Sequence, residues 1–107
     1  MSKINIQFTL FSAFYSPLIS TMTGGFLKEE GLDYDWSVAK PGVTAITALD
    51  DGSADVVQST LSQGFNTLNK GETPKCLHFA QINQMDGFFI TGRNAEPNFQ
   101  WRNLEGS

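Results

Sequence analysis

The fold is decided by residues 3–11, KINIQFTLF, in which apolar and polar side chains alternate over most of the stretch. A period of two is typical of a β-strand with one buried face. Ser16-Pro17 follows shortly afterwards, and proline is well tolerated in a first helical turn because its missing N–H is not needed there. The sequence therefore predicts a strand that leads into a helix, with Ser16 as the N-cap.

The same order of strand and helix repeats along the chain. Further strands are predicted at residues 33–39, 54–58, 75–82 and 88–91. Helices are predicted from Ser16 to Gly31, from Val43 to Asp50, and from Ser59 or Thr60 to Gly71. Successive parallel strands need crossover connections of this length, so the pattern predicts an α/β fold with a mostly parallel sheet and alternating helices.

The first predicted helix contains an adjacent glycine pair, Gly24-Gly25. Each glycine in a helix interior costs about 1 kcal/mol relative to alanine. Two interpretations stay open: a kink in the helix, or a close approach of the helix to the sheet.

Composition limits the classes of function. The chain has 107 residues, enough for one domain, with 40% hydrophobic residues and a net charge of −4. This apolar content argues against a disordered chain, and the acidity argues against nucleic-acid binding. No apolar run is long enough for a transmembrane segment, and the single Cys76 cannot form an internal disulfide. The N-terminus does not resemble a secretory signal, so we expect either a cytosolic chain or one whose leader was removed.

Candidate ligand-binding residues lie after the predicted strands, because open parallel sheets bind ligands beyond the carboxyl ends of their strands. Each of three loops also precedes a helix, whose N-terminal N–H groups favour an anionic or electron-rich ligand. A fourth loop adds two amides, which can orient a ligand without charge. The candidates are Phe11, Ser12, Phe14, Tyr15, Ser16, Pro41, Gly42, Ser59, Thr60, Gln81 and Asn83. The alternative is that the hydroxyl residues only cap helices and that the amides only shape a turn.

Catalytic and cofactor signatures are weak. His78 and Cys76 share one face of the predicted fourth strand, but no acidic residue is placed to orient them. We find no P-loop, no GxGxxG, no HExxH and no GxSxG, so we expect no catalytic residue, no metal and no cofactor.

Five segments in order resemble the type II periplasmic solute-binding proteins of ABC transporters, in the group that binds nitrate, sulfonates, taurine or thiamine precursors. They are YSPL at 15–18, GFLKEEGL at 25–32, VTAITAL at 43–49, DGSADVV at 51–57 and WRNLEG at 101–106. The resemblance implies a two-lobed fold that closes on a small solute, delivery to an ABC permease, and a periplasmic location. Members of the family are much longer, so it also implies that residues 1–107 are part of the N-terminal lobe, with the second lobe absent.

Two other functions stay open at this point. One is a cytosolic thiamine-pyrimidine biosynthesis enzyme on the same fold, for which His78 would be the natural candidate. The other is a flavodoxin-like signalling domain. That domain needs an acidic residue at a strand end, whereas Asp33, Asp35 and Asp55 fall at predicted strand starts.

The unpaired edge of an incomplete sheet also predicts self-association.

Overall fold

Three parallel strands form the sheet. The computed structural model describes residues 3–85 and 89–106. The strands β1 (Ile4–Phe8), β2 (Tyr34–Val38) and β3 (Val56–Gln58) lie in the order β2-β1-β3. Phe8 is in register with Val38 on one side and with Gln58 on the other, so all three strands end at one edge. The predicted α/β class and parallel pairing are confirmed for this part of the chain.

Short helices connect the strands. The α-helices are α1 (Ser16–Thr23), α2 (Phe26–Glu29), α3 (Ala45–Asp50) and α4 (Phe65–Asn69). Three 3₁₀ turns span Ala13–Tyr15, Leu61–Gly64 and Trp101–Leu104. Because parallel crossovers are right-handed, the connection from β1 to β2 and the return from β2 to β3 lie on opposite faces of the sheet.

The core is small and lies mainly between β1 and α1. Ile6, Phe8 and Met22 are buried together, and partly buried side chains including Leu18 and Val56 pack around them. The Tyr34 hydroxyl donates a 3.0 Å hydrogen bond to the Met22 carbonyl, which joins β2 to α1. Separately, Ala45 and Ala48 of α3 are buried.

The glycine pair breaks the first predicted helix into α1 and α2. Gly25 has φ +84°, a left-handed conformation that glycine adopts without strain. At Gly24, a Cβ would lie 2.7 Å from the Phe26 ring and from the Ser20 carbonyl oxygen. The kink interpretation is therefore the right one. The predicted end of this helical region at Gly31 is confirmed by its φ of +74°.

We expect Gly25→Ala to lower the free energy of unfolding by about 1–2 kcal/mol, because alanine is strained in the left-handed region. Gly64→Ala is a matched control, since Gly64 has φ −81° and the nearest atom to an added Cβ is 4.0 Å away. Urea unfolding measures both variants. An equal loss in the two would contradict the assignment of strain to Gly25.

Two boundary predictions need correction. The first strand ends at Phe8 and not at Phe11, because the chain turns into the 3₁₀ segment Ala13–Tyr15. Ser16 is the first residue of α1 and not its N-cap, a position that Tyr15 occupies without a side-chain hydrogen bond. The capping hydroxyl lies earlier, at Ser12, because the 3₁₀ turn runs directly into α1.

The predicted fourth strand is wrong. Residues 75–82 are irregular, and Leu77 and Phe79 are 90% and 78% exposed. A strand buried in a parallel sheet needs both faces covered, and these side chains have no such cover. The predicted fifth strand fails over residues 89–91, which are also irregular, whereas Asp86, Gly87 and Phe88 lie outside the described residues. The radius of gyration is 18.2 Å, against about 13 Å for a compact domain of this length.

Candidate functional site

The carboxyl edge of the sheet gathers the loops that follow β1, β2 and β3. The register of Phe8 with Val38 and Gln58 aligns the three strand ends to the residue. Parallel strands carry their loops to one edge in this way, and ligands of open α/β sheets bind there. The prediction that these loops share an edge is confirmed by the register; whether they bind ligand stays a prediction.

A topological switch point lies between β1 and β3. The chain leaves β1 toward β2 on one side, and it later returns across β1 to place β3 on the other side. In open α/β sheets the connections that follow the two neighbouring strands diverge at such a point, and ligands bind between the strand ends. Here the strand ends are followed by the turn after β1 and by Ser59 and Thr60 after β3.

The turn after β1 is a compact 3₁₀ segment. The Ser12 Oγ accepts a 3.2 Å hydrogen bond from the Phe14 N–H, and the Tyr15 N–H donates to the Ser12 carbonyl at 3.0 Å. The rings of Phe14 and Tyr15 meet edge to face, with centroids 5.3 Å apart. Ser16, which follows, is exposed at the start of α1. This turn presents an aromatic pair beside a helix start.

Phe11 packs toward the sheet. Its ring stacks on Trp36 at a centroid distance of 4.9 Å and meets Phe8 edge to face at 5.3 Å. About half of the Phe11 side chain remains exposed. Phe11, one of the candidate residues, is therefore anchored to β2.

The loop after β2 is a tight turn. The Val43 N–H donates to the Lys40 carbonyl at 3.0 Å, with Pro41 and Gly42 as the central pair. Gly42 has φ +83°, as the third position of a type II turn requires. Thr44 then caps α3 by accepting a 3.2 Å hydrogen bond from the Thr47 N–H.

The loop after β3 is stabilised by its own hydroxyls. The Ser59 Oγ donates to the Thr60 carbonyl at 3.4 Å, and Thr60 Oγ1 lies 2.8 Å from Ser62 Oγ. Thr60 is the N-cap of the turn Leu61–Gly64 but makes no capping bond through its side chain. The alternative that these hydroxyl residues serve only as helix caps therefore does not account for Ser16, Ser59 or Thr60.

The fourth predicted loop crosses back to the first. The Asn83 side-chain amide donates a 2.9 Å hydrogen bond to the Phe14 carbonyl, and the Gln81 amide donates to the Asn83 carbonyl at 3.0 Å. This contact joins residues that are 69 apart in sequence. Gln81 and Asn83 were expected at the end of a strand. They reach the same edge from an irregular segment.

Sequence reasoning missed Thr9 and Gln58, which stand at the switch point. The Thr9 N–H and hydroxyl both donate to Gln58 Oε1, at 3.2 and 3.1 Å. Gln58 is buried although it is polar. A polar residue at the last position of β3, after Val56 and Val57, is the signal that could have found it.

The edge carries little charge. Lys40 is the one charged residue in the sequence of the four loops at residues 9–16, 39–44, 59–60 and 81–83. Asp51 does not belong to this edge, because it follows the C-terminal end of α3. Hydrogen bonds from Ser53 hold the pKa of the Asp51 carboxyl below its ordinary value. The edge therefore offers hydroxyls, amides, N–H groups and rings to a ligand.

Other chemistry has less support in the described residues. Cys76 is half-buried, and His78 is exposed with no carboxylate partner within residues 3–85 and 89–106. In the same ranges no cluster of three metal-ligating side chains occurs, and no helix is long and apolar enough to cross a membrane.

A cavity of about 180 Å³ lies between α3 and residues 72–75, away from the carboxyl edge. It is smaller than ordinary ligand pockets, which begin near roughly 300 Å³.

The chain is similar to one curated protein of Bacillus subtilis (strain 168), whose name is "Putative binding protein YtlA". The two are 30% identical over 106 residues, which cover 99% of this chain and 32% of the relative. The chain thus spans about a third of the length of that curated relative. No protein-family model and no solved structure matches the chain.

Proposed function

We propose that this chain belongs to a solute-binding protein of an ABC importer, of the type II periplasmic class, and forms part of its N-terminal lobe. The carboxyl edge of the sheet carries the proposal. Three loops with helix or 3₁₀ starts meet there, and a fourth loop is bonded across to Phe14. The similarity to a relative named as a binding protein, across nearly the whole chain, supports binding over catalysis.

The proposed ligand is a small anionic or heterocyclic solute: a sulfonate, taurine, nitrate or a pyrimidine thiamine precursor. The edge offers N–H groups and hydroxyls, which suit oxygen atoms that carry negative charge. It also offers the partly exposed rings of Phe11, Phe14 and Tyr15, which suit a planar heterocycle. With Lys40 as its one charged residue, the edge would hold the solute mostly by hydrogen bonds and packing.

In this proposal the residues described here provide one wall of a cleft. A second lobe would supply the opposite wall, and closure about a hinge would enclose the solute before transfer to a membrane permease. The proposal also places the protein in the periplasm, as the resemblance implies. The enzyme alternative gains nothing from His78, which is exposed and lacks a carboxylate partner among the described residues.

Isothermal titration with taurine, nitrate, methanesulfonate and hydroxymethylpyrimidine tests the proposal. One wall buries only part of a ligand, whereas complete pockets bury most of it. We therefore expect at least one probe to bind with a dissociation constant no tighter than about 0.1 mM, or roughly −5.5 kcal/mol. Ser12→Ala should weaken that binding, whereas Ser53→Ala, in the turn before β3, is the control.

Two results would contradict the proposal in different ways. Sub-micromolar binding of any probe would show a complete site and remove the idea of a single wall. If no probe changed the NMR spectrum of the backbone amides at residues 9–16 and 59–60, the edge would not be a binding site for these solutes.

A further inference from the structure

Gln58 combines a buried position with an unused hydrogen-bond donor. It is the last residue of β3, it borders the switch point, and its side chain is only 3% exposed. Polar side chains at this depth normally have all their hydrogen bonds satisfied, because an unsatisfied buried group costs about 1–3 kcal/mol. The way its two amide ends are used therefore calls for an explanation.

The oxygen end of the Gln58 amide is fixed by Thr9. The Thr9 backbone N–H can only donate, so the amide atom 3.2 Å away must be the oxygen and not the nitrogen. The Thr9 hydroxyl adds a second bond to the same oxygen at 3.1 Å. The N–H contact determines which end of the amide faces β1, because the hydroxyl could donate or accept, and it leaves the NH₂ group at the other end.

The NH₂ group has no acceptor among the described residues, yet it is not sealed inside the protein. Within residues 3–85 and 89–106, one polar side-chain atom is completely buried without a hydrogen-bond partner. That atom is Gln7 Oε1 and not Gln58 Nε2. Gln7 is in register with Val57, so it belongs to the opposite face of the sheet from Gln58. Gln58 Nε2 is therefore not wholly sealed from solvent, and Thr9 holds the other end of the same amide.

We propose that Gln58 is a specificity-determining residue, and that its Nε2 donates a hydrogen bond to an acceptor atom of the bound solute at the switch point between β1 and β3. This inference rests on the proposed function and deepens it, because it requires the solute to carry an acceptor, such as a sulfonate or nitrate oxygen or a ring nitrogen. Thr9 acts as a positioning residue, since it orients the amide. A preorganised donor rejects a ligand that cannot accept, because the donor would then be left unpaired on binding.

The side-chain NH₂ signals of Gln58 give a direct test in the native chain. They are assigned through their contacts with the residue's own Hγ protons. Taurine, nitrate, methanesulfonate and hydroxymethylpyrimidine all carry acceptors, and we expect the probe that binds to shift the Gln58 NH₂ pair. Methylammonium carries donors only, and it should leave the pair unmoved when its chloride is compared with sodium chloride at the same concentration, because chloride can itself accept a hydrogen bond.

Gln58→Glu gives an independent test. The glutamate retains an oxygen for Thr9 but lacks the NH₂ donor. We expect the affinity for the bound probe to fall at least tenfold, with the fold retained. Asn66→Asp makes the same amide-to-acid change on the exposed surface of α4 and should bind the probe as the native chain does.

The outcomes separate the two proposals. If a probe shifts the backbone amides at residues 9–16 and 59–60 but leaves the Gln58 NH₂ pair unmoved, the inference about Gln58 is overturned and the proposed function stands. Binding within twofold of native in a folded Gln58→Glu variant overturns it equally. If no probe moves any amide at this edge, both proposals fail together.

Discussion

Phe8→Ala is expected to lower the free energy of unfolding by about 3–5 kcal/mol, the usual cost of removing a buried aromatic side chain. Phe8 is fully buried and stands in the central strand. Its ring also contacts Phe11 at 5.3 Å and Trp36 at 6.1 Å, so the variant would lose two edge-to-face contacts as well as burial. Most domains have only about 5–15 kcal/mol of total stability, so a large unfolded fraction should result.

The size of the core makes this loss hard to absorb. The buried cluster on this face of the sheet consists of Ile6, Phe8 and Met22. Neighbouring side chains cannot fill the space left by a phenyl ring without disturbing β1, the strand that pairs with both others. Because Phe8 is also in register with Gln58, the same variant should disturb the switch point.

Urea unfolding followed by tryptophan fluorescence measures the effect, since Trp36 contacts the Phe8 ring. Phe65→Ala is the matched control, because Phe65 is 56% exposed and should contribute less than about 1 kcal/mol. An equal loss in the two variants would show that Phe8 is not the centre of the core.

The sequence predicted the part of the fold that depends on local patterns. Alternation in β1, proline near the start of α1 and glycine at Gly31 each have a local cause, and the elements that they predict are present. The strand ends that form the candidate site followed from these elements, because parallel strands bring their loops to one edge.

The remainder depends on contacts that no local pattern encodes. Residues 75–82 have the alternation of a strand, but a strand in a parallel sheet needs cover on both faces, and Leu77 and Phe79 have none. The Gln58–Thr9 contact joins residues 49 apart in sequence, and the Asn83–Phe14 contact joins residues 69 apart. Such pairings arise from the tertiary fold, so the bond between Gln58 and Thr9 could be recognised only in the structure, although the polar residue at the end of β3 is visible in the sequence.

The irregular, mostly exposed segments at residues 75–85 and 89–100 are expected to make the chain self-associate. The effect should appear at concentrations of about tens of micromolar and above, where exposed apolar surface commonly drives association. The most exposed apolar side chains of the whole described part lie here, including Leu77, Phe79, Met85 and Phe89. No strand of the described residues pairs with the outer edge of β3, and its backbone groups there favour pairing with another chain.

Leu77→Lys/Phe79→Lys should reduce this association, because the double variant replaces two of the most exposed apolar side chains with charge. Asn66→Lys/Asn69→Lys adds the same charge to the exposed surface of α4, and it separates loss of apolar surface from change in net charge. Light scattering over a range of protein and salt concentrations measures the mass of all three chains. Association driven by apolar surface should persist or strengthen as salt rises, because salt screens only the charged groups. A native chain that remained monomeric throughout, or a control variant that dissociated as fully as the Leu77/Phe79 variant, would show that this segment does not seek an apolar partner.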